Sequence, residues 1–492
     1  MTQVLSDLLL LTRNFVGGDW RDAHLARRYP VLDPATGDLI AEVADSDAQD
    51  AGDAVDAAHA AFHAWRALRA RERARLLKRW HALIEAHAED LARLISLEQG
   101  KPLGESRGEV AYGASYVEWF AEEAVRAYGD VIPEPIRGRK LLVVKEPVGV
   151  VAAITPWNFP LAMIARKIAP ALAAGCTVVV KPAEDTPLTA LALVKLLEAA
   201  GCPSGVVNIV SASRERGAQC AGVWLQDSRV RKISFTGSTS VGKYLARESS
   251  ATLKKLSLEL GGNAPFIVFE DADVPAAVEG LMRAKFRNGG QTCVSPNRVY
   301  VHAAIYDRFA DSLAARVGAL QVGPATSADS QIGPLINARA LEKVERHVAD
   351  ALARGATVLT GGYRVREGLP EGGHYYAPTV LTGATHDMTL SGEETFGPVV
   401  PLFAFESEQD VVQQANDTPY GLAAYFYTRE VARVWRVADQ LETGIVGINE
   451  GVLASEAAPF GGVKESGYGR EGSRYGLDDY MHTKYLCQGE LA

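Results

Sequence analysis

The feature that most constrains the fold is a regular alternation of short apolar runs and longer helix-like segments in the middle of the chain. Thr177–Lys181, Val206–Val210 and Arg231–Phe235 have the length and composition of buried strands. The segments Leu161–Ala174 and Thr186–Ala200 have helical patterns. Strands that alternate with helices form a parallel sheet covered by helices on both faces, so we predict a doubly wound α/β domain.

A second α/β unit is predicted from about Glu259 to about Gly447. It begins with a strand in the run FIVFE and a helix over Asp273–Arg287. The tail Tyr480–Gln488 is typical of one more strand, which we expect to project and to pair with another subunit. Towards the start of the chain, Ser46 is the predicted N-cap of the first of several Ala-rich helices.

Composition excludes several classes of protein. The 492 residues are 47% hydrophobic and 23% charged, which is ordinary for a globular chain of roughly three domain-sized units. A net charge of −9 disfavours nucleic acid and anionic membranes as partners. The most apolar long stretch, Leu161–Val180, carries Arg166, Lys167 and Pro170, which indicates buried core rather than a membrane span. The start, MTQVLSDLLLLTRNF, has no basic leader and no cleavage site, so we expect no signal peptide.

The five cysteines are odd in number and scattered, which argues against a disulfide framework and favours a reducing, cytoplasmic location. His59 and His63 lie one helical turn apart, but no third ligand is near them in the sequence, so we expect no metal site.

The run Phe235-Thr-Gly-Ser238 follows a predicted strand and opens a predicted helix. Such a helix N-terminus favours a phosphate group. Gly237, Gly242 and Lys243 have the spacing of a phosphate-binding P-loop, but Tyr244 stands where that loop needs Ser or Thr for magnesium. A nucleoside triphosphatase is therefore rejected, and two readings stay open: a dinucleotide pyrophosphate site or a tight packing turn.

Four further residues are candidates for chemistry. Lys181 and Glu184 stand at the end of a predicted strand, where they could bind ribose hydroxyls or form an ordinary ion pair. Cys293 follows a glycine-rich turn and is either a nucleophile or a buried structural thiol; as a nucleophile it needs a lowered pKa or a neighbouring base. Glu259, before a double glycine, is a candidate for that base or a plain surface charge.

Together the chain resembles the NAD(P)-dependent aldehyde dehydrogenases from about Phe15 to Tyr485. Seven motifs that carry this resemblance occur in order: Thr155-Pro-Trp-Asn-Phe-Pro160, Lys181-Pro-Ala-Glu184, Phe235-Thr-Gly-Ser238, Glu259-Leu-Gly-Gly262, Gly290-Gln-Thr-Cys293, Glu394-Thr-Phe-Gly-Pro398 and Pro459-Phe-Gly-Gly462. The resemblance implies a Rossmann-like NAD-binding domain (1–130 and 150–258), an α/β catalytic domain (259–447) and a β oligomerisation element (131–149 and 478–492). It also implies a homodimer or homotetramer.

The resemblance implies roles for individual residues. Cys293 would attack the aldehyde carbonyl, and Asn158 with the backbone N–H of Cys293 would form the oxyanion hole. Glu259 would activate the water that hydrolyses the thioester, which favours a free acid as product over transfer to coenzyme A. Val294 and Ser295 follow the cysteine where some members carry a second Cys two positions on, so a thiol–disulfide switch between those positions is impossible here.

The cofactor-binding residues that the resemblance implies are Thr155, Pro156, Trp157, Lys181, Glu184, Thr236, Gly237, Ser238, Glu394 and Phe396. Lys181 and Glu184 would hold the adenosine ribose, Ser238 the pyrophosphate and Glu394 the nicotinamide ribose. Because a carboxylate at position 184 accepts a hydrogen bond from a 2′-hydroxyl and repels a 2′-phosphate, we predict NAD rather than NADP.

Within the family the chain is most similar to succinate-semialdehyde dehydrogenases. Arg166, Arg287 and Ser455 match three residues that bind the substrate carboxylate there, and a guanidinium suits a carboxylate because it binds with two parallel hydrogen bonds. The alternative for either arginine is a structural ion pair. The alternative functions are a broader aldehyde dehydrogenase acting on glutarate semialdehyde or other aldehydes, and a non-catalytic protein on the same scaffold.

Overall fold

In the computed structural model of the protein, residues 9–489 are described. The prediction about a signal peptide falls partly on residues 1–8 and the predicted oligomerisation element extends over residues 490–492, so those parts lie outside the described residues. None of the helices between residues 9 and 489 has the length and apolar character needed to cross a membrane.

The strands are numbered along the chain: β1 Asn14–Val16, β2 Asp19–Arg21, β3 Arg28–Leu32, β4 Leu39–Ala44, β5 Asp130–Ile132, β6 Lys140–Pro147, β7 Val150–Ile154, β8 Thr177–Lys181, β9 Val207–Ile209, β10 Val230–Thr236, β11 Lys255–Glu259, β12 Ala264–Val268, β13 Pro296–His302, β14 Thr357–Thr360, β15 Thr379–Thr382, β16 Val399–Phe405, β17 Tyr420–Gly421, β18 Ala423–Tyr427, β19 Ile445–Ile448, β20 Val463–Lys464, β21 Gly467–Tyr468 and β22 Met481–Gln488.

The α-helices are numbered in the same way: α1 Ala48–Arg66, α2 Ala70–Ala86, α3 Ala88–Gln99, α4 Leu103–Glu123, α5 Ala162–Ala174, α6 Leu188–Ala199, α7 Arg214–Gln226, α8 Thr239–Ser249, α9 Val274–Lys285, α10 Tyr306–Gly318, α11 Ala338–Ala353, α12 Thr389–Gly392, α13 Glu408–Asn416, α14 Val431–Gln440 and α15 Ser473–Asp478.

The first sheet has eight strands in the order β2-β1-β9-β8-β7-β10-β11-β21, and its centre from β9 to β11 is parallel. The predicted doubly wound sheet is therefore present. All five residues of β8 are buried, which explains its unbroken apolar run: helices cover both faces of a parallel sheet, so neither face needs polar side chains.

The second sheet has seven strands in the order β14-β15-β16-β13-β12-β18-β19, and only β14 is antiparallel to its neighbour. Its strands begin with β12, just after Glu259 ends the last parallel strand of the first sheet. The two sheets therefore follow one another along the chain, and the loops at their strand ends can form one site.

The tail forms the predicted strand. β22 pairs with β6 antiparallel over eight residues, from Met481 opposite Pro147 to Gln488 opposite Lys140, and β5 completes a three-stranded sheet. Apolar side chains on this sheet are exposed, for example Val131 and Tyr485. Its use in subunit contacts stays a prediction, as do the domain boundaries.

One predicted cap is wrong. Ser46 does not cap α1; the N-cap is Asp47, whose carboxylate accepts hydrogen bonds from the backbone N–H groups of Gln49 and Asp50. Ser46 is instead buried, and its hydroxyl accepts a hydrogen bond from the Asn14 side chain at 2.8 Å. The Ser46 hydroxyl thus bonds to Asn14 of β1 and not to the helix that the local sequence pattern indicated.

Candidate active site

A cavity of about 460 Å³ lies where three parallel strands of the first sheet end. The chain leaves β7, β10 and β11 beside it, and residues that follow β12 to β18 of the second sheet line its other side. This is the place where open parallel sheets bind ligands. The predicted site residues that line it are Pro156, Trp157, Asn158, Arg166, Glu184, Thr236, Gly237, Ser238, Glu259, Arg287, Cys293, Glu394 and Phe396. Three predicted residues are not in the lining: Thr155, Lys181 and Ser455.

The loop that presents Cys293 has an unusual backbone. Asn288, Gly289 and Gly290 all have positive φ, at 52°, 60° and 77°. At Gly290 a side chain would also collide, because a Cβ there would lie 2.2 Å from the carbonyl oxygen of Gly397. The glycine therefore allows the cysteine loop to touch the loop that carries Phe396.

The Cys293 thiol is not a pre-formed thiolate. Burial raises its pKa to about 12, and the nearby carboxyl groups of Glu394 and Glu259 act in the same direction. The sequence left two ways to activate this cysteine, a lowered pKa or a base. The environment of the thiol favours the second, because at neutral pH a base must remove its proton.

Asn158 is held at both its backbone and its side chain. Its amide nitrogen donates to the carbonyl oxygen of Gln291 at 3.0 Å, in the cysteine loop. Its backbone oxygen accepts from Lys101 Nζ at 2.7 Å and from the Asn288 side chain at 3.0 Å. The second N–H of the Asn158 amide has no acceptor among residues 9–489, so it can donate to a ligand in the cavity.

Three charged residues of the helical N-terminal region support these loops, and sequence reasoning missed all three. Lys101 is buried, pairs with Glu109 at 2.6 Å and lies 4.0 Å above the Phe159 ring. Glu109 accepts hydrogen bonds from the first N–H groups near the start of α5, including that of Leu161 at 2.9 Å. Glu105 accepts from the backbone N–H of Asn288 at 2.8 Å. Each of them acts on a backbone group of a distant loop, so no local sequence pattern marks its role.

Glu259 ends β11 with its carboxyl group inside the protein. It is 3% exposed, and neither carboxyl oxygen has a hydrogen-bond partner among the described residues. Burial raises its pKa well above the ordinary value, and the neighbouring Glu471 carboxylate raises it further. Burial and Glu471 therefore favour the protonated form of Glu259, while Arg166, Lys167 and Arg470 oppose this shift.

Glu471 is another residue that sequence reasoning missed, and it forms ion pairs inside the protein. It is paired with Arg166 at 2.8 Å and with Lys167, whose ammonium also donates to the Thr236 hydroxyl at 2.7 Å. Burial alone would raise the pKa of Glu471, but Lys167 and Arg166 lower it below the usual range. Of these two close carboxyl groups, the paired Glu471 has its pKa lowered and the unpaired Glu259 has its pKa raised.

The two predicted substrate arginines have different surroundings. Arg166 is buried and paired with Glu471, and its Nη1 donates to the Tyr112 hydroxyl at 3.1 Å. Arg287 is half-buried and lies over the rings of Phe159 and Tyr112, at 4.8 and 5.5 Å. No carboxylate within residues 9–489 reaches salt-bridge distance from it.

Ser455 lies just beyond the lining residues Leu453 and Ala454. Its carbonyl oxygen accepts from the Tyr116 hydroxyl at 3.2 Å, and its own hydroxyl accepts from the backbone N–H of Ala457 at 3.3 Å. The hydroxyl hydrogen stays available to a ligand.

The other end of the cavity has features that fit a dinucleotide. Helix α8 begins after Ser238 without a side-chain cap, so N–H groups of its first turn are free for a phosphate. Gly242 serves packing instead, because a Cβ there would lie 2.4 Å from the Leu260 side chain. Gly242 therefore supports the interpretation as a packing turn, and the uncapped start of α8 fits a pyrophosphate site.

Aromatic and acidic groups continue this end of the cavity. The rings of Trp157 and Phe396 meet edge to face at 5.5 Å, and Phe396 adopts a positive φ of 56°. Burial raises the pKa of Glu394 to about 7, and this carboxyl accepts a hydrogen bond from the Gly262 N–H at 3.2 Å. The ammonium of Lys181 lies 3.8 Å from the Glu184 carboxylate, which is the cavity-lining member of that pair.

The model of the aldehyde dehydrogenase family matches residues 20–486. The chain belongs to the aldehyde dehydrogenase family. It is 53% identical over 489 residues to a 3-sulfolactaldehyde dehydrogenase of Pseudomonas putida, covering 99% of both chains. It is 53% identical over 475 residues to a succinate-semialdehyde dehydrogenase of Escherichia coli K12 whose name specifies NADP(+), covering 96% of this chain and 97% of the relative.

Among solved structures, the crystal structure of succinate-semialdehyde dehydrogenase from Burkholderia pseudomallei is similar with a TM-score of 0.96. The two are 54% identical, and the match covers 98% of this chain and 99% of the other. The predicted aldehyde dehydrogenase fold and enzyme class are thereby confirmed. The relatives' names specify different substrates, and the name of the Escherichia coli relative specifies NADP(+).

Gly262→Ala tests how tightly the cysteine loop of this aldehyde dehydrogenase is packed. A Cβ at position 262 would lie 2.5 Å from the Cys293 carbonyl oxygen, so the loop must shift. We expect kcat/KM for aldehydes to fall by about 100-fold, since small displacements of a reacting group are costly. The control is Gly222→Ala in α7, where a Cβ meets nothing within 4 Å; equal activity of both variants contradicts the packing argument.

Proposed function

We propose that this aldehyde dehydrogenase oxidises succinate semialdehyde to succinate in the cytoplasm, with NAD as the preferred acceptor, as a homodimer or homotetramer. The observation that carries the proposal is the Arg287 guanidinium. It lines the same cavity as the Cys293 thiol and has no anionic partner among residues 9–489. A small aldehyde with a terminal carboxylate supplies both of the groups that these two residues lack.

The physical argument is one of charge compensation. A half-buried guanidinium without a partner is costly, and it binds a carboxylate through two parallel hydrogen bonds. The rings of Phe159 and Tyr112 restrict where this guanidinium can lie, so little freedom is lost when an anion binds. Because Phe159 directly follows Asn158, the anion site and the oxyanion site are fixed by one short segment.

Arg166 is less suited than Arg287 to bind the substrate carboxylate. Its charge is already balanced by Glu471, but its Nη2 is buried without a hydrogen-bond partner. We therefore propose Arg166 as a secondary contact to the substrate, with Ser455 contributing its hydroxyl hydrogen, and Arg287 as the principal anion-binding residue.

The proposed reaction begins when the Cys293 thiol passes its proton through water to Glu259 in its deprotonated form and the sulfur bonds to the aldehyde carbon. Glu259 then releases this proton to solvent before the hydrolysis step. The carbonyl oxygen becomes negative and accepts hydrogen bonds from the Asn158 amide and the Cys293 backbone N–H. A nicotinamide dinucleotide, when bound, supplies the acceptor for the hydride that the substrate carbon then loses. The thioester left on Cys293 is hydrolysed by a water molecule whose proton passes to Glu259 in its deprotonated form.

Two alternatives differ in their support. The relatives' names include 3-sulfolactaldehyde and succinate semialdehyde, which are both aldehydes with an anionic group. A broader specificity that includes glutarate semialdehyde is therefore the second candidate, since one added methylene changes binding by only about 1–3 kcal/mol. A non-catalytic role has no such support, because Cys293, Glu259 and Asn158 share one cavity.

Enzymes of this family use NAD or NADP, and the preference for NAD rests on Glu184. Its side chain lines the cavity and is about a quarter exposed, so a 2′-phosphate beside it would meet a carboxylate charge. The Lys181 ammonium is mostly turned inward, where it donates to the carbonyl oxygen of Pro182 at 3.0 Å. It therefore offsets little of that repulsion.

Arg287→Ala is expected to separate anionic from neutral aldehydes. Loss of a charged hydrogen-bonding partner is worth about 10- to 100-fold in kcat/KM, and only for substrates that carry the charge. We expect this loss on succinate semialdehyde, a change below about threefold on butanal, and an intermediate result for Arg287→Lys. Arg308→Ala on exposed α10 is the matched control. Equal losses on both aldehydes would contradict the proposed function.

The pH dependence of turnover tests Glu259. Glu259 acts as a base only when it is deprotonated, so kcat rises with pH as this carboxyl loses its proton. Because its pKa is raised, this rise occurs at higher pH than for an ordinary glutamate, whose pKa is about 4.3. We therefore expect kcat to rise with pH above the range in which an ordinary carboxyl group titrates. Glu259→Gln should abolish this limb, lower kcat by about 10²- to 10⁴-fold and leave a burst of reduced cofactor in stopped-flow traces. Glu406→Gln is the surface control; an unchanged profile in Glu259→Gln excludes the assigned role.

Glu184→Ser is expected to shift cofactor choice. Removing the carboxylate relieves repulsion of a 2′-phosphate and removes an acceptor for the 2′-hydroxyl, so the ratio of kcat/KM for NADP to that for NAD should rise by about tenfold. Glu367→Ser on an exposed turn is the control. If the wild-type enzyme already has the higher kcat/KM with NADP, the proposed preference is wrong.

A further inference from the structure

A second cavity of about 510 Å³ opens beside the first and is rich in arginine. The two cavities are contiguous, since both are lined by Tyr112, Arg283, Arg287, Val452 and Ala454. The thiol, the oxyanion residue and the base line only the inner cavity. The second cavity, which we call the outer basin, therefore lies on the substrate side of the site, away from the reacting atoms.

Arg283 and Arg287 stand four residues apart, so they project from nearly the same side of α9 and its extension. One helical turn separates them, which is about 5.4 Å along the axis. Arg283 is the outer one: half of its side chain is exposed, whereas Arg287 packs against Phe159 next to the oxyanion residue.

Two tyrosines of strand β18 also indicate that Arg283 lies further from the thiol than Arg287. The Tyr425 hydroxyl donates to the Val294 carbonyl oxygen at 2.9 Å, beside Cys293; burial raises its pKa, whereas Arg287 lowers it. The Tyr427 hydroxyl packs against Gly280, about one turn before Arg283 on α9; burial raises its pKa, whereas Arg283 lowers it. Residues two apart on a strand point the same way and lie about 7 Å apart. Arg287 is thus at the level of the thiol, and Arg283 is one step further out.

The guanidinium of Arg283 is only loosely balanced. Its nearest carboxylate, on Glu450, is 3.9 Å away, beyond hydrogen-bond distance, and that same oxygen already accepts the N–H groups of Gly451 and Val452 at 2.8 and 3.0 Å. By contrast, Arg316 in the outer basin has a close partner, Glu279, at 2.9 Å. Within the described residues, Arg283 makes no hydrogen bond through its side chain.

The acidic group of the outer basin does not cancel this charge. Glu105 lines the basin, but burial raises its pKa, although Lys101 and Arg287 oppose the shift. Its carboxyl also accepts the Asn288 N–H, which directs that oxygen towards the backbone. Glu105 therefore opposes an anion beside Arg283 less than an exposed carboxylate would, and Glu450 is the nearest carboxylate to Arg283.

We propose that Arg283 is a second anion-binding residue, which binds the terminal carboxylate of ω-oxo acids too long for their carboxylate to stay at Arg287. The substrate class is medium-chain aldehydes with a terminal carboxylate. With the aldehyde carbon fixed at Cys293, each added methylene moves the carboxylate outward, and Arg283 provides the next guanidinium along that path. This inference rests on the proposed function, because it takes the Arg287 site as the first of the two.

The experiment measures kcat/KM for four-, six- and eight-carbon ω-oxo acids and for the neutral aldehydes of the same lengths. The quantity compared is the ratio of the anionic to the neutral substrate at each length. For Arg283→Ala we expect this ratio to fall least at four carbons and by about tenfold at eight carbons. Arg283→Gln, which keeps the hydrogen-bonding amide and loses the charge, should give a smaller fall. Arg316→Ala is the matched control, because that arginine lines the same basin and is already paired.

The outcomes distinguish the two proposals. A fall in the ratio that is equal at all lengths for Arg283→Ala, or no greater than in Arg316→Ala, overturns the role of Arg283. If Arg287→Ala lowers the ratio at four carbons and Arg283→Ala never does, only the present inference fails. If Arg287→Ala leaves the four-carbon ratio unchanged, the proposed function fails as well.

Discussion

The buried ion pair between Lys101 and Glu109 is the interaction on which the rest of the site depends. Its two members lie in the N-terminal helical region, yet Lys101 binds the backbone of Asn158 and Glu109 binds the start of α5. Breaking a buried pair by removing one member typically costs about 3–5 kcal/mol, because the other charge is left uncompensated inside the protein. The helices that precede the parallel strands of the first sheet are thus tied to the loop that contains Asn158.

A second buried network, around Glu471, decides the protonation of the site. Arg166 and Lys167 on α5 both pair with this one carboxylate, which keeps its charge. Together with burial, this charge raises the pKa of Glu259, since two adjacent buried carboxyl groups do not both ionise easily. The same helix α5 that Glu109 anchors therefore also sets the charge balance at the base of the cavity.

The residues of the site were predictable where the chemistry lies at strand ends. Asn158, Glu259 and the Phe235–Ser238 turn follow parallel strands, whose carboxyl ends meet by topology alone. The supporting charges were not predictable, because Lys101, Glu105 and Glu471 each act on a group more than 50 positions away: the Asn158 carbonyl oxygen, the Asn288 N–H and the Arg166 guanidinium. Nor could the sequence rank the two arginines: only the fold shows that Glu471 pairs with Arg166 and that Arg287 has no such partner.

The burial of the Cys293 thiol also affects how readily this cysteine is oxidised or alkylated. Peroxides and alkylating agents attack the thiolate, and a cysteine whose pKa lies near 12 is almost wholly protonated in a resting cell. Ser295 stands where a second cysteine could have formed a reversible disulfide. The small thiolate fraction that follows from the raised pKa is therefore what slows oxidation of Cys293. The cavity that slows formation of the nucleophile thereby preserves it from one turnover to the next.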